Sequence, residues 1–435
     1  MKKANKKIKY RKFLKNREKK ILKKRHRKHK KGKKIKKFNI VNTNVNILSQ
    51  SEKIISVLKE RKFGKKVRRT KNQNEIIIIV PRIFSFIKNP DETILTLRKI
   101  FYAGINKHIK SICFNYSNCE ELGLCASLLT DLIILSLPRY QDKSIRLSGN
   151  VPNSYEARKL FNVTGLTKHI GISNQITEDS EILDILSNID SDIMSEKVVS
   201  FYNNCLKKQG YTLTDMGKNY FSNIVGEVID NSKQYSGKNG TWHVLGFYDR
   251  PERGKSYGKC RLVLMNFGNS IYESLKATDT TEYTRNQLEN HTKKNYNIID
   301  KFSYTEELLW TLYTLQQNVS KKRTDKNDDR GKGTIKLIDS FMAVGVKDEE
   351  YKSLMSITSG KCQIFFDGKY KLEKKIKDGK ECSQIAFNKA NDLNMKPDKD
   401  YVYNLKNKFP GTVISMEICL DNRYLNQLFK LKGEK

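Results

Sequence analysis

Two side chains one helical turn apart, Glu227 and Asn231, offer the clearest chemistry in this 435-residue chain. An amide oxygen is a ligand for a hard cation such as magnesium, which accepts one or two protein oxygens and completes its shell with water and phosphate oxygens. A carboxylate beside it can take a proton from water held near a terminal phosphate. Both must project from one face of a helix, and the flanking residues supply one. Phe221, Ile224, Val225, Val228 and Ile229 recur at helical spacing as an apolar stripe, with Thr214 or Asp215 positioned to cap its start. Glu227 and Asn231 then point together, away from the core side. Taken alone, the pair suits an ordinary solvated helix face better.

Three further segments change that balance. Arg330-Gly331-Lys332-Gly333-Thr334 precedes an amphipathic helix marked by Ile335, Ile338, Phe341 and Met342. Glycines let backbone N–H groups turn toward phosphates, and the start of a helix near Thr334 adds a favourable field. Arg330 and Lys332 offer cationic contacts to a terminal phosphate. The strand-like run Leu262–Asn266 ends in Asn266-Phe267-Gly268, and Gly411-Thr412 opens a last strand. In their order along the chain the four segments resemble the ATP-binding domain of the GHKL superfamily, which unites DNA gyrase, heat-shock chaperones, histidine kinases and MutL proteins. The resemblance covers residues 200–421 and implies an α/β sandwich, a mixed and mostly antiparallel sheet with helices on one face. It implies Glu227 as the residue that polarises the attacking water and Asn231 as the magnesium ligand. Tyr235 matches an aromatic of kinase-type members, Gly268 would let the backbone approach the base, and Gly331, Gly333 and Thr334 would form the phosphate end. Thr412 would lie near the adenine pocket. Asn266 stands where the family has an Asp that accepts from the adenine amino group; its carbonyl can still accept, and its NH₂ can donate.

The elements that must position these residues divide the chain as follows. Residues 1–37 are a basic tail and 38–72 a polar linker with a short helix around Glu52–Lys59. From 73 to 165, strands and helices alternate (Ile76–Val80, Asp91–Tyr102, Ser111–Tyr116, an amphipathic helix Leu122–Leu137, Ile145–Val151, Ser154–Phe161) in an order that resembles the STAS-like domains of bacterial regulators. The turn Tyr116-Ser117-Asn118-Cys119 departs from the Asp-Ser-Ser/Thr-Gly of phosphorylated STAS domains. An acidic connection spans 166–199. The second domain, 200–421, has expected strands at Trp242–Tyr248, Arg261–Asn266, Gln363–Asp367, Gln384–Phe387 and Val413–Leu420, and residues 422–435 form a C-terminal tail. Residues 271–330 form a polar insertion with one helix, capped through Ser303 and Glu306, and would be a lid over the phosphates.

Charge is lopsided. Residues 1–37 hold 22 Lys/Arg against Glu18 alone and so carry +21 of the formal +37. Such a run neutralises phosphates and releases counterions, so salt-dependent binding to nucleic acid or another polyanion is expected, although a Lys-, Asn- and Ile-rich composition also follows from an AT-rich genome. Eight cysteines show no CxxC pair and no zinc spacing, which points to reduced, mostly buried thiols and a cytoplasmic chain. No apolar run is long enough for a transmembrane segment.

The favoured expectation is an ATP- and magnesium-dependent ATPase switch whose lid closes on nucleotide, with a homodimer admitted. Two alternatives stay open. One is an anti-sigma-type serine kinase acting on a STAS domain; the other is a non-hydrolysing protein in which nucleotide is structural and the tail docks on nucleic acid.

Overall fold

The computed structural model describes residues 45–67, 74–163, 167, 170, 180–237, 240–250, 257–300, 303–325, 328, 331–344, 352–377 and 380–421. Expectations for residues 1–37 and 422–435 lie outside this set. The chain opens with α1 (Val45–Glu60), then β1 (Glu75–Ile79), β2 (Ile83–Phe84), α2 (Pro90–Ile105), β3 (Ser111–Asn115), β4 (Glu121–Leu122), α3 (Leu124–Ser136), the short α4 (Pro138–Gln141), β5 (Arg146–Gly149) and α5 (Tyr155–Val163). Strands β1, β3 and β5 form a parallel sheet in that order, and β2 and β4 a small parallel pair. The expected short helix at Glu52–Lys59 is longer and is no polar linker. Ile54 and Leu58 are fully buried on its inner face, each such side chain contributing roughly 1.5–3 kcal/mol. Helix α3 departs from the amphipathic expectation too: all of its residues are buried, because α1, α2 and a strand of the next sheet wall it in.

The remainder is built on a seven-stranded sheet of order β13-β10-β9-β14-β8-β7-β6. Its strands are β6 (Glu181–Ser187), β7 (Thr241–Asp249), β8 (Tyr257–Phe267), β9 (Leu354–Ser359), β10 (Cys362–Phe366), β13 (Val402–Asn404) and β14 (Gly411–Asp421). Each pairing in this sheet is antiparallel, where a mixed, mostly antiparallel sheet was expected. The acidic connection at 166–199 is corrected as well, since Glu181–Ser187 is the edge strand and is followed by α6 (Ser191–Lys207). Residues of the expected strand Gln384–Phe387 largely leave the ladder: Gln384 closes a separate hairpin of β11 (Glu373–Lys377) and β12 (Lys380–Gln384), and Phe387 turns the chain at φ 56°.

Both faces of the large sheet are covered, which corrects the expectation of helices on one face only. The two-residue period of β8 sends Leu262 and Leu264 to one core, and Val263, Met265 and Phe267 to the other. The first core continues into α6, α7 (Asp215–Tyr235) and α11 (Gly333–Val344); the second contains α1, α2 and α3. The described residues from 45 to 421 accordingly belong to one unit, which takes in the expected domains at 73–165 and 200–421. The described residues of the insertion 271–330 hold three α-helices instead of one helix: α8 (Ile271–Lys276), α9 (Glu282–Lys294) and α10 (Glu306–Thr314). Helix α10 is capped by Thr305, whose hydroxyl accepts from Leu308 N, whereas Ser303 donates to Asp300.

Buried His243 ties the edge strand to its neighbour, with Nδ1 2.7 Å from Ser187 Oγ and Nε2 3.0 Å from Thr241 Oγ1. Burial pushes its pKa from 6.5 down to about 3, so the folded protein holds it neutral. The unfolded chain takes up a proton below 6.5. Stability from this group is therefore complete above that pH and falls as pH drops toward 3, by roughly 1.4 kcal/mol per unit. Thermal midpoints measured between pH 7 and 4 are expected to fall less steeply in His243→Gln; an unchanged slope would assign the acid sensitivity elsewhere.

Candidate functional site

The antiparallel register sets the floor. Ile414 of β14 lies between Leu264 of β8 and Ile357 of β9, and two residues earlier Thr412 lies between Asn266 and Ser359. Because the side-chain period is two, these rows share one face: apolar, then polar. Thr412 Oγ1 and Ser359 Oγ are 2.9 Å apart, and Ser359 Oγ accepts from Ile271 N at 2.8 Å. Gly268 makes this end compact. At φ +145° its Cα sits where a Cβ would be 1.9 Å from Ser236 O, so the end of β8 lies directly on the end of α7.

Helix α7 is the first wall. Thr214 caps it, accepting from Gly217 N at 3.1 Å, and Ile224, Val225, Val228 and Ile229 bury the expected stripe. That orientation turns Asn231 and Ser232 to the cleft. The Asn231 amide makes no hydrogen bond among the described residues, so it is free to serve a ligand or water. Opposite stands the start of α11, where Gly333 is in tight contact with α7: a Cβ there would be 2.5 Å from Glu227 Oε2 and 2.8 Å from Glu227 Cβ.

Between these elements is a cleft of about 870 Å³, counting its open mouth. Six expected residues line it together: Asn231, Asn266, Gly331, Gly333, Thr334 and Thr412. Glu227 does not line it. Its half-exposed carboxylate lies beside Gly333 and pairs with Lys336 Nζ at 3.3 Å. Gly268 is not among the residues that line the cleft, and its close approach is to Ser236. Lys332 is half-buried and outside the lining. Arg330 and the side chain of Tyr235 fall outside the described residues.

Other residues of the cleft went unread in the sequence. Lys321 lines it with its ammonium 2.6 Å from Asp279, and is 6 % exposed. Asn269 and Ser270 form the rim. Ser270 and Glu273 make a reciprocal capping box, a Ser-x-x-Glu signal that was available in the sequence. Arg61, from the turn after α1, holds that rim from behind through Glu273 Oε1 at 2.6 Å and Asn269 Oδ1 at 2.5 Å. No sequence spacing announces a partner 208 residues away. No metal-binding cluster of His, Cys, Asp and Glu occurs among the described residues, and none of their helices is long and apolar enough to cross a membrane. No family model matches the chain, and neither a curated protein nor a solved structure matches it.

Proposed function

We propose that the cleft binds a magnesium nucleotide, in the manner implied by the GHKL resemblance. One observation carries the reading: Asn231, Asn266, Gly331, Gly333, Thr334 and Thr412, drawn from four distant stretches of sequence, converge on a single cleft. An apolar floor under a polar strand end suits a flat heterocycle. A glycine-flanked helix start suits phosphates, and the nearby amide of Asn231 suits a hard cation that keeps most of its shell as water and phosphate. The part from β1 to α5 would then be a STAS-like partner fused to the back of the nucleotide-binding sheet.

As a switch, the protein would hydrolyse ATP with Glu227 as general base. The Glu227–Lys336 pair favours a second reading, binding without turnover, because that carboxylate is engaged by an ammonium and stands off the cleft. Equilibrium binding and phosphate release on the full chain separate these. ATP binding that needs magnesium, with release abolished in Glu227→Ala, supports the ATPase. Binding without release supports the second reading, and no binding in either condition rejects both.

A further inference from the structure

The polar groups at the strand end of the cleft are uncharged and can both give and take hydrogen bonds. Asn266 is 4 % exposed and lines the cleft, and its Nδ2 reaches the Asn269 carbonyl only at 3.4 Å, too long a bond to lock the amide. That leaves Oδ1 and a second N–H for a ligand. Thr412 and Ser359 share a hydrogen bond in which either hydroxyl can be the donor. Asn269 and Ser270 complete this end, above a floor of Ile357 and Ile414.

The two purines differ at the edge such a site would read. Adenine offers an amino donor beside a ring acceptor, whereas guanine offers a keto acceptor beside ring and amino N–H donors. An ionised carboxylate accepts only, so it favours whichever purine turns its N–H donors toward it and has nothing to give the acceptor beside them; an amide turned about its last torsion meets either edge. The hydroxyl pair adapts in the same way by rotating its protons. We infer that the cleft takes both ATP and GTP, and that Asn266 is the residue that sets this breadth. The inference rests on the nucleotide reading of the cleft and names its substrate class as purine nucleotides.

Calorimetric titration of the full chain with MgATP, MgGTP and magnesium tripolyphosphate tests it. The expected result is ATP and GTP dissociation constants within about tenfold of each other, with tripolyphosphate much weaker. Asn266→Asp is expected to move the ratio of ATP to GTP affinity at least about tenfold from its original value, since an acceptor-only group serves one purine edge and not both. GTP weaker than ATP by about 100-fold or more in the unaltered chain overturns the inference and leaves the nucleotide reading standing. Tripolyphosphate binding as tightly as ATP, or an unchanged ratio in Asn266→Asp, overturns it too, because the base is then not read by this residue. If neither ATP nor GTP binds, the nucleotide reading falls and takes the inference with it. The comparison in the unaltered chain decides the matter even if the variant does not fold.

Discussion

Asn231→Ala is expected to weaken magnesium-dependent nucleotide binding by about 30-fold, roughly 2 kcal/mol, the usual worth of a hydrogen-bonding or ligand group toward a charged partner. The same change is expected to leave the thermal midpoint within about 2 °C of its original value. The separation follows from the geometry. Asn231 lines the cleft, yet its amide makes no hydrogen bond among the described residues, so truncation strands no buried partner and opens no cavity. Its helix is held instead by the buried side chains of Ile224, Val225, Val228 and Ile229 and by the Thr214 cap. Binding measured with and without magnesium, beside a melting curve, checks both halves. A large fall in melting temperature would mean that Asn231 is a packing residue, and unchanged affinity would remove it from the site.

Gly268→Ala should be among the most damaging single substitutions in the described chain, costing at least about 3 kcal/mol. Two penalties coincide. The φ of +145° disfavours any side chain, and the new Cβ would meet the Ser236 carbonyl at 1.9 Å, backbone against backbone, with no flexible group to yield. Relief requires the end of β8 to lift off the end of α7, which also breaks the Asn269 N to Ser236 O bond of 3.0 Å and moves Asn266 away from Asn231. Gly210→Ala is the matched control: its φ is +86°, but nothing lies within 4 Å, so only the backbone cost of about 1–2 kcal/mol applies. Denaturant unfolding of both variants measures the difference. Equal losses would show that the clash is absorbed.

How much could be read beforehand depended on whether local pattern and tertiary role agreed. Helix α7 was legible because stripe, cap and length all point to one amphipathic helix packed on one side. Strands β7, β8 and β14 were legible as dense apolar runs, and that density carried a message that went unread. A strand apolar at consecutive positions, as at Leu262–Met265, is buried on both faces, so a second layer had to cover the back of the sheet. That layer comes from the described residues between α1 and α5, and the apolar residues of α1 lie in a charge-rich stretch that read as linker.

Other elements were hidden by polar residues in buried or edge positions. Strand β9 is Leu354-Met355-Ser356-Ile357-Thr358-Ser359, and its Ser356 and Thr358 are fully buried, Thr358 bonded to Gln363 of the neighbouring strand. Such a segment resembles a loop until its partner is known. Strand β6 carries Glu181 and Asp184 because an edge strand keeps contact with solvent, and the acidity masked the ladder. In the candidate site, types and order were legible and distances were not. The glycines at 331 and 333 and the amides at 231 and 266 converge. Glu227 reads from sequence as a partner of Asn231, yet it stands against Lys336 because α11 crosses α7 at Gly333.

The most direct test of the central claim is a crystal structure of the full chain with magnesium and a non-hydrolysable ATP analogue. The account predicts a base over Ile357 and Ile414 with its edge at Asn266, phosphates at the Gly331–Thr334 turn, and magnesium on Asn231 Oδ1. Nucleotide bound elsewhere, or a cleft left empty at saturating ligand, would contradict it.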